Sequence, residues 1–429
     1  MHSHYIRKAA VVFSSLAAAQ SSHWVDIWTA MPQLTEPGNL PPEPFNSSSI
    51  IFANTTIRQT IRLNQPASTI RLRLSNAFGV DDLDVTNVSL ALPLHNELGT
   101  SVIVPKTAQS ILFDGFHSTI VPPGSLVVSD PIRLPSTQWN TTITVDIYLA
   151  DGQSGGAITS HPGSRTTSWM QFGNSISAAN FTDPSVASVE HWYFLSTVEA
   201  YLPSAVKACA ILGDSITDGR GSDNNQNNRW PDLLLNRMQS TKPVSQIPLL
   251  NQAAGGNRIL HDSLGPSLLS RLDRDVLSHS QIHTAIVFEG VNDIGTANAD
   301  PHNQTTTGDR LIRAYRQIIT RLHAAGIPVF GATITPFGTP ANSSVVQPYS
   351  DPERERTRQR VNAFIRDGGV FDAVLDFDAV LRDPGYPDQL RGEYDSGDHL
   401  HPNVEGYEAL ARSVDLGVFL RGVWYDGWL

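Results

Sequence analysis

The sequence predicts a two-part molecule: an all-β sandwich, jelly-roll-like, followed by an α/β unit whose parallel sheet is covered by helices on both faces. Two observations predict the first part. Apolar and polar residues alternate on a period of two along its longer segments, and Pro/Gly clusters such as Pro122-Pro123-Gly124 and Asp151–Gly156 punctuate them. One observation predicts the second: after Tyr201–Lys207 short apolar runs begin to alternate with helical stretches.

In the first part, Thr55–Leu63 (T-T-I-R-Q-T-I-R-L), Ser68–Leu74 (S-T-I-R-L-R-L) and Thr141–Leu149 (T-T-I-T-V-D-I-Y-L) read as half-buried strands with one apolar and one polar face. Val85–Leu92, Ser110–Phe113 and Trp192–Glu199 add shorter candidates, and no convincing helix precedes about residue 200. The β region is placed at 23–200. In the second part, placed at 208–429, strands are expected at Ala208–Leu212, Ile247–Asn251, Thr284–Phe288, Val329–Ile334 and Ala373–Phe377. Helices are expected at Pro231–Gln239, Pro266–Leu277, Asp309–Ala325, Glu353–Arg366 and Asn403–Leu420, the third stopped by Gly326 and Pro328.

The chain has 429 residues, room for two domains, and 40% apolar residues, enough for ordinary cores. Its net charge of −11 and dispersed basic residues give no footprint for nucleic acid or an anionic membrane. Residues 1–19 read as a secretory signal: Arg7 and Lys8, the apolar stretch Ala9–Leu16, then Ala17-Ala18-Ala19. No run reaches the roughly 18–20 apolar residues that a membrane span needs, so no stable membrane anchor is expected. Glycosylation sequons start at Asn46, Asn54, Asn87, Asn140, Asn180, Asn303 and Asn342, in keeping with a secreted, extracellular glycoprotein. Cys209 is the only cysteine, so stability has to come from core burial and not from an intrachain disulfide.

The chemistry centres on two distant segments. Gly213-Asp214-Ser215-Ile216-Thr217 ends an apolar strand in a tight turn, and Asp398-His399-Leu400-His401-Pro402 precedes the last helix. A serine needs a base to become a nucleophile, and the base needs a group that orients it. Ser215 is the candidate nucleophile. His401 is the candidate base, expected to sit at a helix edge with Pro402 at the helix start, and Asp398 its orienter. His399 is a rival base and Asp395 a rival orienter. A metal reading would use His399, His401 and Asp398, but no H-E-x-x-H or paired-cysteine pattern accompanies them, and no metal or other cofactor is expected. The G-x-S-x-G elbow is absent because Thr217 replaces its second glycine, which disfavours an α/β-hydrolase. Gly255-Gly256-Asn257 and Gly290-Val291-Asn292-Asp293 each follow a predicted strand, where Gly256 and Asn292 could donate to an oxyanion.

These four segments resemble the ordered blocks of the SGNH, or GDSL-type, hydrolases. The resemblance covers about Ala208–Leu420 and departs from the pattern at Ala253, where many members have glycine. It implies a flavodoxin-like three-layer α/β/α sandwich, and an oxyanion hole built from the Ser215 N–H, the Gly256 N–H and the Asn292 amide. It also implies the catalytic set Ser215, Asp398 and His401. The whole chain is similar to secreted two-domain esterases and acylhydrolases whose β-rich domain precedes the catalytic one.

The expected function is a metal-independent serine esterase working through an acyl-enzyme, on short acyl (acetyl) groups of carbohydrate, plant-wall polysaccharide among the candidates, or on aryl esters. Alternatives are a lipase or phospholipase-type acylhydrolase, an acyltransferase to an alcohol acceptor, and an inert carbohydrate-binding protein. Asp218–Trp230 could rim the pocket, and His161–Trp169 could face it from the β region. Trp424–Trp428 reads as a packing tail.

Overall fold

The computed structural model describes residues 21–421 apart from 48 and 136; the expected secretory signal and the Trp424–Trp428 tail lie outside the described residues. Seven long strands frame the β region: β1 (Ser22–Thr29), β2 (Thr55–Arg62), β3 (Thr69–Ser75), β4 (Asn87–Ala91), β5 (Thr142–Leu149), β6 (Ser168–Phe172) and β7 (Leu195–Pro203). One antiparallel sheet runs β1-β7-β3 and is extended by the short strands Leu126–Val128 and Ile132–Arg133. The other runs Ala187–Val189, β6, β2, β5, β4, Gln109–Ile111. Alternate residues of the two, such as Ile57, Ile61, Val145 and Ile147 against Ile70, Leu72, Leu74 and Val198, share one buried core.

The outer face of β2 and β5 departs from the expected half-buried pattern. Thr56, Arg58, Thr60, Thr142, Thr144 and Asp146 are all buried as well. Loops cover this face and its polar groups pair beneath them. Arg58 makes a bidentate pair with Asp146 at 2.8 Å and donates to the carbonyls of Ser101 and Ala178. Burial pushes the Asp146 carboxyl up to about 6 even though Arg58 opposes the shift. Period-two alternation therefore marks two chemical faces here without marking one of them as wet.

The second half carries a five-stranded parallel sheet of β8 (Ala208–Gly213), β9 (Leu249–Ala253), β10 (Ile282–Phe288), β11 (Val329–Ala332) and β12 (Ala373–Leu375), in the order β9-β8-β10-β11-β12. That is the flavodoxin-like order, in which the chain leaves β8 toward one side of the sheet and β10 toward the other. Helices α1 (Trp230–Gln239) and α4 (Val404–Ser413) pack together, as do α2 (Pro301–Ala324) and α3 (Pro352–Asp367), giving the two outer layers. β8 is buried along its whole length, and burial pushes the Cys209 thiol up, which disfavours the reactive thiolate.

Three expected helices differ. The helix predicted from Asp309 begins at Pro301, where Asp300 caps it and the proline occupies its first turn. The stretch Pro266–Leu277 is helical from Leu268, then widens into a π turn at Asp273–Leu277. The final stretch breaks after Ser413, and a short helix at Val418–Arg421 follows.

The two halves are joined by polar contacts. Asn64 donates to Leu249 O (2.5 Å), Thr29 donates to Asn251 O (3.2 Å), and His279 Nδ1 meets Asp26 Oδ2 at 2.5 Å. Asn225 grips Thr167 through both atoms of its side-chain amide. The Asp218–Trp230 stretch rims the catalytic cleft as expected, through Asp218 and Arg220, and through Asn225 it also fastens the two halves together. Its Asn225 and Asn227 adopt left-handed backbone angles (φ 63° and 47°), which asparagine tolerates better than most residues.

Candidate active site

The C-terminal ends of β8 and β10 flank the switch point of the parallel sheet, where open α/β folds bind ligands. Gly213 closes β8, and a Cβ there would lie 2.9 Å from Phe288 O, so only glycine lets the two strand ends approach. Asp214 then caps the one-turn helix Ser215–Asp218, accepting from Ile216 N–H at 3.0 Å. Ser215 is its first residue and is 8% exposed.

His401 faces it. Ser215 Oγ lies 2.7 Å from His401 Nε2, and His401 Nδ1 lies 2.6 Å from Asp398 Oδ2. A carboxylate only accepts, so Nδ1 carries the proton and Nε2 is left to accept from the serine hydroxyl. Asp398 is itself fixed by the N–H groups of Leu400 (3.0 Å) and His401 (2.8 Å) on Oδ1. Burial alone would raise its carboxyl. The imidazole and the two backbone donors outweigh burial and hold it below the usual carboxylate range. Pro402 does not open the following helix as expected: α4 starts at Val404, and Asn403 is the cap, accepting from Gly406 N–H at 2.9 Å.

The rivals have their own engagement. His399, with a left-handed φ of 63°, places Nδ1 2.5 Å from Asp395 Oδ2 and Nε2 2.6 Å from Ser343 Oγ. The chain thus holds a second serine–histidine–aspartate line, whose histidine stands two residues before His401. The four ring nitrogens of His399 and His401 all face different partners, so the pair does not converge as an H-x-H metal site would require.

Gly256 and Asn292 line the same cleft as Ser215 and His401. The chain turns at Gly256 with φ 71°, and the N–H of the preceding Gly255 is tied to Asp218 Oδ2 at 2.9 Å. Asn292 Nδ2 donates to Asn257 O (2.9 Å), and Tyr349 O–H donates to Asn292 Oδ1 (3.0 Å). An amide nitrogen has two hydrogens, so one remains for a ligand.

Several supporting groups are legible only in three dimensions. Arg271 is fully buried and ties the loops together by donating to Asn257 Oδ1 (3.0 Å), Gln252 O (2.6 Å) and the carboxylates of Asp275 and Glu289. Asp293 accepts from Ile259 and Leu260 N–H at 2.8 and 2.9 Å. Burial raises the carboxyls of Asp214 to about 7, Glu289 to about 8 and Asp293 to about 6, with Arg271 opposing the shift at the first two. Helix-borne charges such as Arg271 read as solvated surface in the sequence. The one available signal was Asp293, directly after Asn292.

The β region forms one wall of the cleft through Gln33, Glu36, Asn39, Pro162, Gly163 and Arg165, and the cleft holds about 550 Å³. His161–Trp169 therefore does reach the site. His161 Nδ1 meets Met31 O and Nε2 meets Asp218 Oδ1, both at 3.0 Å. A hydrogen-bonded path then runs from the β region through Asp218 to Gly255, beside Gly256. Leu264, Val345, Val346, Pro348 and Tyr349 complete much of the remaining lining.

Residues 211–409 match the model of the GDSL-like lipase/acylhydrolase family. These residues form a GDSL-like lipase/acylhydrolase domain. The GDSL-like domain holds the Ser215 turn, both oxyanion candidates and the Asp398–His401 pair, and makes the protein a serine ester hydrolase. No curated protein sequence matches the chain. Among solved structures, similar chains include a GDSL-like lipase from Bacteroides thetaiotaomicron at 14% identity, covering 50% of this chain and 89% of that one with a TM-score of 0.35. An acetylxylan esterase from Geobacillus stearothermophilus is 19% identical, covering 51% and 95% with a TM-score of 0.36. An acetyl xylan esterase, AlAXEase, is 22% identical, covering 48% and 96% with a TM-score of 0.36.

Proposed function

We propose that the protein hydrolyses carboxylic esters through an acyl-enzyme on Ser215. His401 Nε2 takes the hydroxyl proton as Oγ attacks the ester carbonyl, and Asp398 stabilises the imidazolium that forms. The Ser215 and Gly256 N–H groups and the free Asn292 N–H receive the oxyanion. The alcohol leaves with the proton from His401, and water then attacks the acyl-enzyme by the reverse sequence. The observation that carries this reading is the continuous Ser215–His401–Asp398 hydrogen-bond line, opening on a cleft that Gly256 and Asn292 also line.

A serine-directed organophosphonate should inactivate the wild type with label on Ser215, and Ser215→Ala should be inactive and unlabelled there. Full activity in that variant would overturn the assignment.

For substrate, we propose short acyl groups on a carbohydrate, met outside the cell. The polar wall of the cleft supports a hydroxyl-rich alcohol. All seven sequon asparagines are at least partly exposed, as glycan attachment in a secretory pathway requires. Export is tested by the mass lost on endoglycosidase treatment of the protein recovered from medium. An unglycosylated protein retained in cells would refute it.

One observation favours a lipase-type reading. Leu264, Val345 and Val346 are 46%, 46% and 75% exposed at the cleft, an apolar rim that a longer acyl chain would cover. A series of p-nitrophenyl esters from acetyl to decanoyl separates the two, since kcat/KM falling with chain length supports the acetyl reading and kcat/KM rising supports the other.

A further inference from the structure

The β-region wall of the cleft contains polar groups that the protein itself leaves unsatisfied. Gln33 is 3% exposed, lines the cleft, and its Oε1 has no hydrogen-bond partner. Arg165 also lines the cleft, and its buried Nε is likewise unpartnered. Its backbone is left-handed (φ 52°), an uncommon state for arginine, and is held by Asn225 N–H donating to Arg165 O at 2.8 Å. Beside them Asn39 Nδ2 donates to Glu36 Oε2 at 2.9 Å, so these planar groups are already oriented. Leaving a buried donor or acceptor unmade costs about 1–3 kcal/mol, and because these two atoms are sealed from solvent a ligand in the cleft completes them only when the Gln33 amide turns over or the Arg165 side chain shifts toward it.

The chemistry of the wall narrows that ligand. It brings acceptors and donors together in the Gln33 and Asn39 amides, the Glu36 carboxylate and the Arg165 guanidinium, with one formal charge of each sign. A neutral molecule whose groups both donate and accept satisfies all of them, and vicinal hydroxyls do this. The wall is also rigidly placed, because His161 next to Pro162 is fixed to Asp218 on the nucleophile turn.

We propose that this wall is the subsite for the alcohol portion of the substrate, and that it takes a neutral sugar residue bearing the ester. This rests on the esterase reading above. Gln33 and Arg165 are specificity-determining residues, and the β region is half of the substrate site.

The experiment compares two acetyl esters with the full chain: p-nitrophenyl acetate, too small to span the cleft, and a mono-O-acetylated oligosaccharide. The variants are Gln33→Met, which keeps volume and removes the amide, and Arg165→Asn, which tolerates a positive φ. For each, kcat/KM on the acetylated oligosaccharide should fall about tenfold, through KM, the effect of losing one or two hydrogen bonds. The rate on p-nitrophenyl acetate should stay within about twofold and the melting temperature should hold. A parallel loss on both esters, or no loss on either, overturns the subsite. A wild type that cleaves p-nitrophenyl acetate but not the oligosaccharide also overturns it. A wild type inactive on both esters refutes the esterase reading itself.

Discussion

Tyr349 offers a sharp test of how the oxyanion donor is held. Its O–H donates to Asn292 Oδ1 at 3.0 Å, while Asn292 Nδ2 donates to Asn257 O at 2.9 Å. Together these two bonds set which end of the amide faces the cleft. Tyr349→Phe removes one of them and keeps the ring, which packs edge-on to Phe337. A neutral hydrogen bond of this kind is worth about 0.5–1.5 kcal/mol, and each 1.4 kcal/mol is a factor of ten. The expected loss is therefore about fivefold in kcat, with KM unchanged. Asn292→Ala should cost about a hundredfold or more, as removal of one oxyanion donor does. In the Asn292→Ala background, Tyr349→Phe should then have no further effect, because its only route to the reaction has gone. Steady-state kinetics on p-nitrophenyl acetate for the four proteins gives the coupling energy, expected near 1 kcal/mol. Equal fivefold losses in both backgrounds, or a change confined to KM, would refute the positioning role.

The carboxyls of Asp214, Glu289 and Asp293 are raised in the folded state, so the stability they contribute is full below about pH 4 and is lost as pH rises through about 6 to 8. Glu289→Gln should flatten the fall in denaturation midpoint between pH 5 and 8, and an unchanged slope would contradict the argument. His161→Ala leaves Asp218 Oδ1 without its cross-domain donor and should cost about 2 kcal/mol in urea unfolding together with a fall in kcat; a wild-type midpoint would show that the contact carries nothing. Gly256→Ala places a Cβ 2.5 Å from Leu264 Cδ1 on a left-handed backbone. It should lower kcat at least about tenfold, and adding Leu264→Ala should relieve the clash but not the roughly 1–2 kcal/mol backbone strain, both read by melting curves and rates.

The reach of the sequence ended where pairing became long-range. Ser215 was legible because a tight turn follows an uninterrupted apolar run, and His401 because an aspartate stands three residues before it. Both signals are local. The parallel strands were legible for the same reason, since a strand buried on both faces reads as unbroken apolar sequence. The start of α2 was missed because its first eight residues are mostly polar, although Asp300-Pro301 is a readable cap. The paired polar face of β2 and β5 was read as solvent-facing, because alternation records chemistry and not what a distant loop covers. Arg271, Tyr349 and the His161–Asp218 contact join residues 19 to 57 positions apart, and no local pattern encodes such partners.

The line Ser343–His399–Asp395 is a built-in comparison for the site beside it. Its distances of 2.6 and 2.5 Å would satisfy any geometric template for a hydrolytic triad. Yet Ser343 Oγ already accepts from Val345 N–H at 3.1 Å inside a local turn, and Gly256 and Asn292 stand at the other serine. Three matching side chains at matching distances thus occur twice in one chain, with neighbouring histidines and aspartates but distant serines. A search by triad geometry alone would return two sites here, and only the surroundings of each hydroxyl rank them.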